Sequence, residues 1–239
     1  MEAFHKDAQA VISELNNSNS TETKQFITVA GDISKPETGA DFVAKIVEAF
    51  GRLDVFVSNA GVCQFAEFLE YPSASSPYFS PRDLGRKCMT NENRIEPSLL
   101  SQTVNINLCG AFYATQAAGR QMALHQTPAG GSIIGISSIS ALVGGGQQCH
   151  YCPTKAGVLS LMQSTAVALG KYNIRCNALL PGTIRTQLND ADMADEKKRT
   201  YMEGRIPLGR LGQPKDLAGP AVFLASEELS GYVVSFIAP

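Results

Sequence analysis

Tyr151 and Lys155 stand four positions apart in this 239-residue chain. On a helix, residues at that spacing share a face. A phenol titrates at about 10 and is a poor base at neutral pH. An adjacent ammonium favours the phenolate and makes tyrosine a usable general acid and base. Alone, the pair arises by chance in ordinary chains, so its surroundings must carry the argument. Ser137 and Ser138 follow the apolar run Ser132–Ile136, of the kind buried on both faces of a parallel sheet. A hydroxyl at Ser138 therefore stands at the C-terminal end of a strand, where open α/β sheets bind ligands. Asn59 follows a second such run, Leu53–Val57, and Asn107 is expected to open a helix over Val104–Met122. Each has a plainer role available: Ser138 as a turn cap, Asn107 as an N-cap, Asn59 as a partner for loop backbone.

The elements that must position these groups alternate between helix and strand, the pattern of βαβ units around a parallel sheet. Residues 1–16 carry a helical apolar period that ends in the breaker Asn16–Ser20. A strand is expected at Gln25–Ala30, then a helix with Phe42, Val43, Ile46, Val47 and Phe50 on one face and Gly51 as its stop. Between Glu70 and Pro97 the sequence has three prolines, several serines and no apolar period, and reads as an exposed, mobile insertion. Order resumes with a helix at Tyr151–Leu169, a strand at Ile174–Leu180, a turn at Pro181–Gly182, a polar helical stretch over 187–205 and a final helix at Asp216–Ala225. No repeat or linker divides the chain, so residues 1–239 read as one domain.

Composition narrows the classes of function. Lys and Arg total 20 against 22 Asp and Glu, for a net charge of −2, leaving no basic surplus for nucleic acid or an anionic membrane. The apolar runs are strand-length, well short of the ~20 residues that span a bilayer. The start MEAFHKDAQA has no secretory apolar core, so a soluble, cytoplasmic protein with free thiols is expected. Cys149 and Cys152 form a C-x-x-C without a second pair, which favours small buried side chains over a metal site, and no metal is expected.

Asn59-Ala60-Gly61, Asn107, Ser138, Tyr151-x-x-x-Lys155 and Pro181-Gly182-Thr183-Ile184-x-Thr186 resemble the successive signatures of the short-chain dehydrogenase/reductase superfamily. The tail Pro207-Leu208-Gly209-Arg210 and Phe223-Leu224-Ala225-Ser226 is similar to its usual ending. At closer range, SNAGVC, QTVNINLCGAF and the segment from Lys155 to Ile184 resemble the fungal L-rhamnose 1-dehydrogenases. The resemblance implies an oxidoreductase of carbohydrate metabolism that moves a hydride between NAD or NADP and an alcohol or carbonyl, such as the C1 hydroxyl of an aldose. It implies catalytic roles for Asn107, Ser138, Tyr151 and Lys155. It also implies cofactor contacts from Asp32, Asn59, Tyr151, Lys155, Ile184 and Thr186. Asn107 would anchor a water in the proton relay, and residues 187–206 would form a substrate lid. A homo-oligomer, dimer or tetramer in the full-length form, is expected along the helices of Val104–Met122 and Tyr151–Leu169.

The implied fold is a Rossmann-like, doubly wound parallel sheet. The family's opening strand and T-G-x-x-x-G-x-G turn, whose N–H groups hold the pyrophosphate, have no counterpart here. The expectation is therefore a domain lacking the first two strands and the glycine-rich turn, cut short at its closing strand, as a mispredicted or alternatively spliced transcript would give. Two other readings stay open: a terpenoid or polyketide alcohol dehydrogenase, and a catalytically impaired truncated product that pairs with full-length subunits.

Overall fold

A computed structural model describes residues 26–69, 94–187, 189–227 and 235–237. Four strands form one sheet in the order β1 (Val55–Ser58), β2 (Gly131–Ile136), β3 (Ile174–Leu180) and β4 (Ser235–Ile237), all parallel. The register runs Val57 to Ile134, Ile134 to Asn177, and Ala178 to Ser235. Because every pair is parallel, the C-terminal ends of β1, β2 and β3 fall on one edge of the sheet.

Helices cover both faces. Alternate side chains of the central strands divide between them: Ile133, Cys176, Ala178 and Leu180 pack with Ala118, Met122 and Met162, whereas Ile134 and Leu179 pack with Leu224. The first face carries α1 (Pro36–Phe50), α3 (Ala111–Leu124) and α4 (Cys152–Leu169); the second carries α7 (Pro214–Ala225). This is the doubly wound arrangement expected from the alternating pattern. Close approach requires glycine at two contacts: a Cβ on Gly39 would meet the Ala114 backbone at 2.7 Å, and one on Gly135 would meet Met162 at 2.8 Å. Gly51 closes α1 with φ 84°, as its position after the last apolar residue predicts.

Three expectations are corrected. Residues 26–30 form no strand: none of them pairs with a described strand, and Val29 and Ala30 are exposed. A strand exists only through a paired neighbour, which the apolar pattern at Gln25–Ala30 cannot reveal. The helix expected to begin at Val104 begins at Pro97 as α2 (Pro97–Val104), because proline suits a first turn where no N–H is needed. It passes through a π turn at Asn105–Gly110 into α3, so Asn107 lies inside the helical run instead of opening it. The expected helix in residues 1–16 and most of the expected insertion, residues 70–93, lie outside the described residues. No described helix is long and apolar enough to cross a membrane.

β1 is an edge strand among the described residues, and its Val55 and Val57 are 40% and 44% exposed.

Candidate active site

The strand ends open into a cavity of about 710 Å³. Its floor is built by three loops. Asn59, Gly61, Val62 and Cys63 follow β1; Ser137, Ser138 and Ile139 follow β2; Pro181, Gly182, Thr183 and Ile184 follow β3. These loops are fixed to one another. The Ser137 N–H donates to the Leu179 carbonyl at 2.8 Å, and the Ile139 N–H to the Pro181 carbonyl at 2.9 Å.

Tyr151 is the N-cap residue of α4, and Lys155 follows one turn later. The Gln148 carbonyl accepts the N–H groups of both Tyr151 and Cys152 at 2.9 Å, satisfying donors that a helix start leaves free. Both side chains line the cavity, with the Lys155 ammonium 5.8 Å from the centroid of the Tyr151 ring. The Ser138 hydroxyl is near enough to the Tyr151 oxygen to favour the phenolate, and it accepts the Ser140 N–H at 3.1 Å. Ser138, Tyr151 and Lys155, read from the sequence as neighbours, thus face one space.

The electrostatics differ from the expectation. Burial pushes the Tyr151 phenol up to about 12, the nearby Cys63 thiol adds to the rise, and the bond from Ser138 offsets part of it. Burial likewise draws the Lys155 ammonium down to about 8. Burial in the cavity wall therefore penalises both charged forms, and the lysine does not bring the phenol down by itself. Lys155 is held by a backbone carbonyl, donating to Ile136 at 2.9 Å, while the Ser137 hydroxyl donates back to the Lys155 carbonyl at 2.7 Å.

Asn107 is buried behind this floor and does not line the cavity. Its Oδ1 accepts the Val62 N–H at 2.8 Å; its Nδ2 donates to the Val62 carbonyl at 2.9 Å and to Thr154 Oγ1 at 3.2 Å. The carboxamide closes the backbone of the loop after β1 and ties it to α4. A π turn lets the helix point this side chain inward, and such turns recur at functional sites. The fit at Gly61 is tight, since a Cβ there would stand 3.3 Å from both Asn107 Oδ1 and Lys155 Nζ.

Of the residues expected to touch a cofactor, Asn59, Ile184 and Thr186 line the cavity with Tyr151 and Lys155. Asn189 fixes the turn that carries two of them, accepting the Thr186 N–H at 3.0 Å and donating to the Ile184 carbonyl at 2.9 Å. Asp32 does not line the cavity. Its carboxylate accepts from the Ser34 N–H and hydroxyl at 3.0 and 2.7 Å, which holds it below the usual carboxylate range and commits it to its own turn. Sequence reasoning passed over Cys63, Phe65, Gln147 and Gln148, which line the cavity. The signal for Cys63 and Gln148 was their place, two residues after Asn59-Ala60-Gly61 and three before Tyr151. The stretch expected as a lid covers the cavity with α5 (Asp190–Ala194) and α6 (Glu196–Gly204), contributing Met193, Tyr201 and Met202 among others.

The residues present suit a nicotinamide riboside: a phenol, a hydroxyl and an ammonium at strand ends, with amide and hydroxyl groups at Asn59 and Thr186 beside them. Among the described residues no group of three or more His, Cys, Asp and Glu side chains could hold a metal ion.

Residues 86–236 match the family model described as enoyl-(acyl carrier protein) reductase, and residues 3–78 match that described as short chain dehydrogenase. The chain is 59% identical over 220 residues to an L-rhamnose-1-dehydrogenase of Scheffersomyces stipitis, a match spanning 92% of this chain and 75% of that protein. It is 49% identical over 231 residues to an L-rhamnose 1-dehydrogenase (NAD(P)(+)) of a Sphingomonas species, spanning 96% and 79%. Among solved structures, a gluconate 5-dehydrogenase from Burkholderia cenocepacia in complex with NADP and tartrate is similar with a TM-score of 0.69 at 25% identity, covering 87% of this chain and 72% of that one.

Proposed function

We propose, since the chain belongs to the short-chain dehydrogenase/reductase family, that it is an NAD(P)-dependent oxidoreductase that oxidises an aldose such as L-rhamnose at C1. The observation that carries the reading is the convergence of Ser138, Tyr151 and Lys155 on one cavity at the strand ends, in a chain whose curated relatives include several L-rhamnose 1-dehydrogenases. When bound, the nicotinamide supplies the hydride acceptor, chemistry that belongs to the cofactor.

This chain's residues handle the proton. A substrate oxygen placed between the Ser138 hydroxyl and the Tyr151 phenol receives one hydrogen bond and exchanges its proton with the other. Oxidation uses the phenolate as base; reduction of a carbonyl uses the phenol as acid, the form that burial favours. Lys155, held at Ile136, offers its remaining N–H groups to ribose hydroxyls, and Asn59, Ile184 and Thr186 position the rest of the nicotinamide end. Asn107 holds the loop after β1 in place. The lid helices α5 and α6 exclude water from the reacting oxygen.

The reading extends to a cytoplasmic homo-oligomer. Phe112 and Leu124 on α3 and Val167 on α4 are 45%, 62% and 87% exposed, an apolar surface that suits a second copy, and none of the five described cysteines is in a disulfide. The test is a panel of aldoses offered with NAD+ and with NADP+, following nucleotide absorbance, alongside a titration of NADPH fluorescence. Turnover of L-rhamnose with micromolar nucleotide binding is the expected result. Turnover confined to apolar alcohols would favour a secondary-metabolite dehydrogenase, and absent nucleotide binding at millimolar concentration would favour an impaired chain.

A further inference from the structure

Ile184 and Thr186 line the cavity from the segment that follows β3, and the backbone of that segment is held on two edges. On one edge the Gly212 N–H donates to the Thr183 carbonyl at 3.0 Å, and the Gly212 carbonyl accepts the Arg185 N–H at 2.9 Å, the pattern of a parallel bridge. On the other edge a side chain makes the equivalent bonds. Asn189 Oδ1 accepts the Thr186 N–H at 3.0 Å, and Asn189 Nδ2 donates to the Ile184 carbonyl at 2.9 Å. The carboxamide thus spans a carbonyl and an N–H two residues apart, as a peptide of a paired strand does. The backbone of Asn189 is spent in the same place. Its N–H donates to the Thr186 carbonyl at 3.0 Å, and its carbonyl accepts the Met193 N–H at 2.9 Å. Met193 belongs to the lid helix α5, is buried and lines the cavity, as Asn189 itself does. One residue therefore joins the turn after β3 to the lid.

Both ends of the carboxamide have a backbone partner, so this side chain is committed to holding the chain. We infer that Asn189 is a positioning residue that fixes the Ile184–Thr186 turn for the nicotinamide end of the nucleotide and seats Met193 over the substrate side of the same cavity. The inference rests on the dehydrogenase reading above, which puts Ile184 and Thr186 at the nicotinamide and the lid over the aldose. Losing the carboxamide leaves the Thr186 N–H and the Ile184 carbonyl without these partners and loosens two walls of the reacting space together. Ser138, Tyr151 and Lys155 hang from β2 and α4, so the proton chemistry keeps its geometry.

The test compares the parent chain with Asn189→Ala and Asn189→Asp. NADPH binding is read by fluorescence, binding of the nicotinamide-free analogue 2′-phospho-ADP-ribose by calorimetry, and L-rhamnose oxidation by nucleotide absorbance. Asn189→Ala is expected to weaken NADPH about tenfold, the effect of an unpaired backbone group, while the analogue binds as it does to the parent. The KM for L-rhamnose rises with it, and kcat stays within about threefold. Asn189→Asp keeps an oxygen for the Thr186 N–H but turns a carboxylate oxygen toward the Ile184 carbonyl, so at pH 7.5 it matches the alanine variant. Protonation restores the missing donor, and its NADPH affinity recovers toward the parent's as the pH falls to 5. The inference is overturned if Asn189→Ala binds NADPH as the parent does, if both nucleotides weaken equally, if kcat falls while neither KM moves, or if lowering the pH does not separate the aspartate variant from the alanine one. A parent chain that binds NADPH but leaves L-rhamnose unoxidised rejects the aldose reading alone, and the binding comparison still decides the role of Asn189. A parent chain that binds no NADPH rejects the dehydrogenase reading and this role with it.

Discussion

The Lys155 ammonium donates to the carbonyl of Ile136, the last residue of β2, at 2.9 Å, and from there lies 5.8 Å from the centroid of the Tyr151 ring. One hydrogen bond thus ties the helix bearing the phenol to the strand whose end presents Ser138. Among the described residues no carboxylate pairs with this buried cation, an arrangement that costs stability and is retained where function needs the charge.

Replacing Lys155 with Met is expected to raise the melting temperature at pH 7 while abolishing turnover. Burial lowers this lysine from 10.5 to about 8 in the folded chain. The folded state therefore binds fewer protons than the unfolded state between those values, so its stability rises with pH across the window and is lowest below it. Removing the charge restores on the order of 2 kcal/mol at pH 7 after the lost bond to Ile136 is set against it, or about 5 °C. The gain disappears above pH 10.5, where the lysine is neutral in both states. Thermal melts at pH 7 and 10.5 check this; an equal loss of stability at both would contradict it.

The phenol at about 12 sets the direction of the pH dependence. Oxidation needs the phenolate, whose fraction grows as pH rises toward that value; reduction needs the phenol, which dominates at neutral pH. Aldose oxidation under saturating substrate should climb from pH 7 to 10, while reduction of the corresponding lactone should not. A flat oxidation profile would count against Tyr151 as the base in this environment.

Asn107 is expected to act on stability first. Truncation to Ala removes the partner of both the N–H and the carbonyl of Val62. Two unpaired backbone groups in this part-buried position cost about 2–4 kcal/mol, lowering the melting temperature by about 8 °C. Calorimetry reads the effect directly, and an unchanged melting temperature would mean that the loop after β1 does not depend on this carboxamide.

The sequence made the strand-end chemistry legible because its parts are local. Ser138 follows an apolar run, Tyr151 and Lys155 occupy one helical turn, and Ile184 and Thr186 follow a strand read with the same bounds as β3, Ile174–Leu180. What escaped depended on distant partners. Gln25–Ala30 has the composition of a strand, but pairing decides a strand. Asn107 resembles an N-cap because a π turn leaves no mark on the apolar period. Asp32 follows an apolar run as a ligand-binding carboxylate would, yet Ser34 two residues on captures it. Gln148 and Cys63 face the cavity through loops 85 residues apart, joined by a bond from Gln148 Nε2 to the Cys63 sulfur at 3.4 Å.

The central claim is that the Tyr151 hydroxyl moves the proton of the substrate oxygen. The most direct measurement compares L-rhamnose oxidation and NADPH binding in the parent chain and in Tyr151→Phe. The account predicts a loss of kcat of at least about 100-fold with nucleotide affinity and melting temperature preserved, since only one oxygen is removed. Retained turnover in the phenylalanine variant would contradict it.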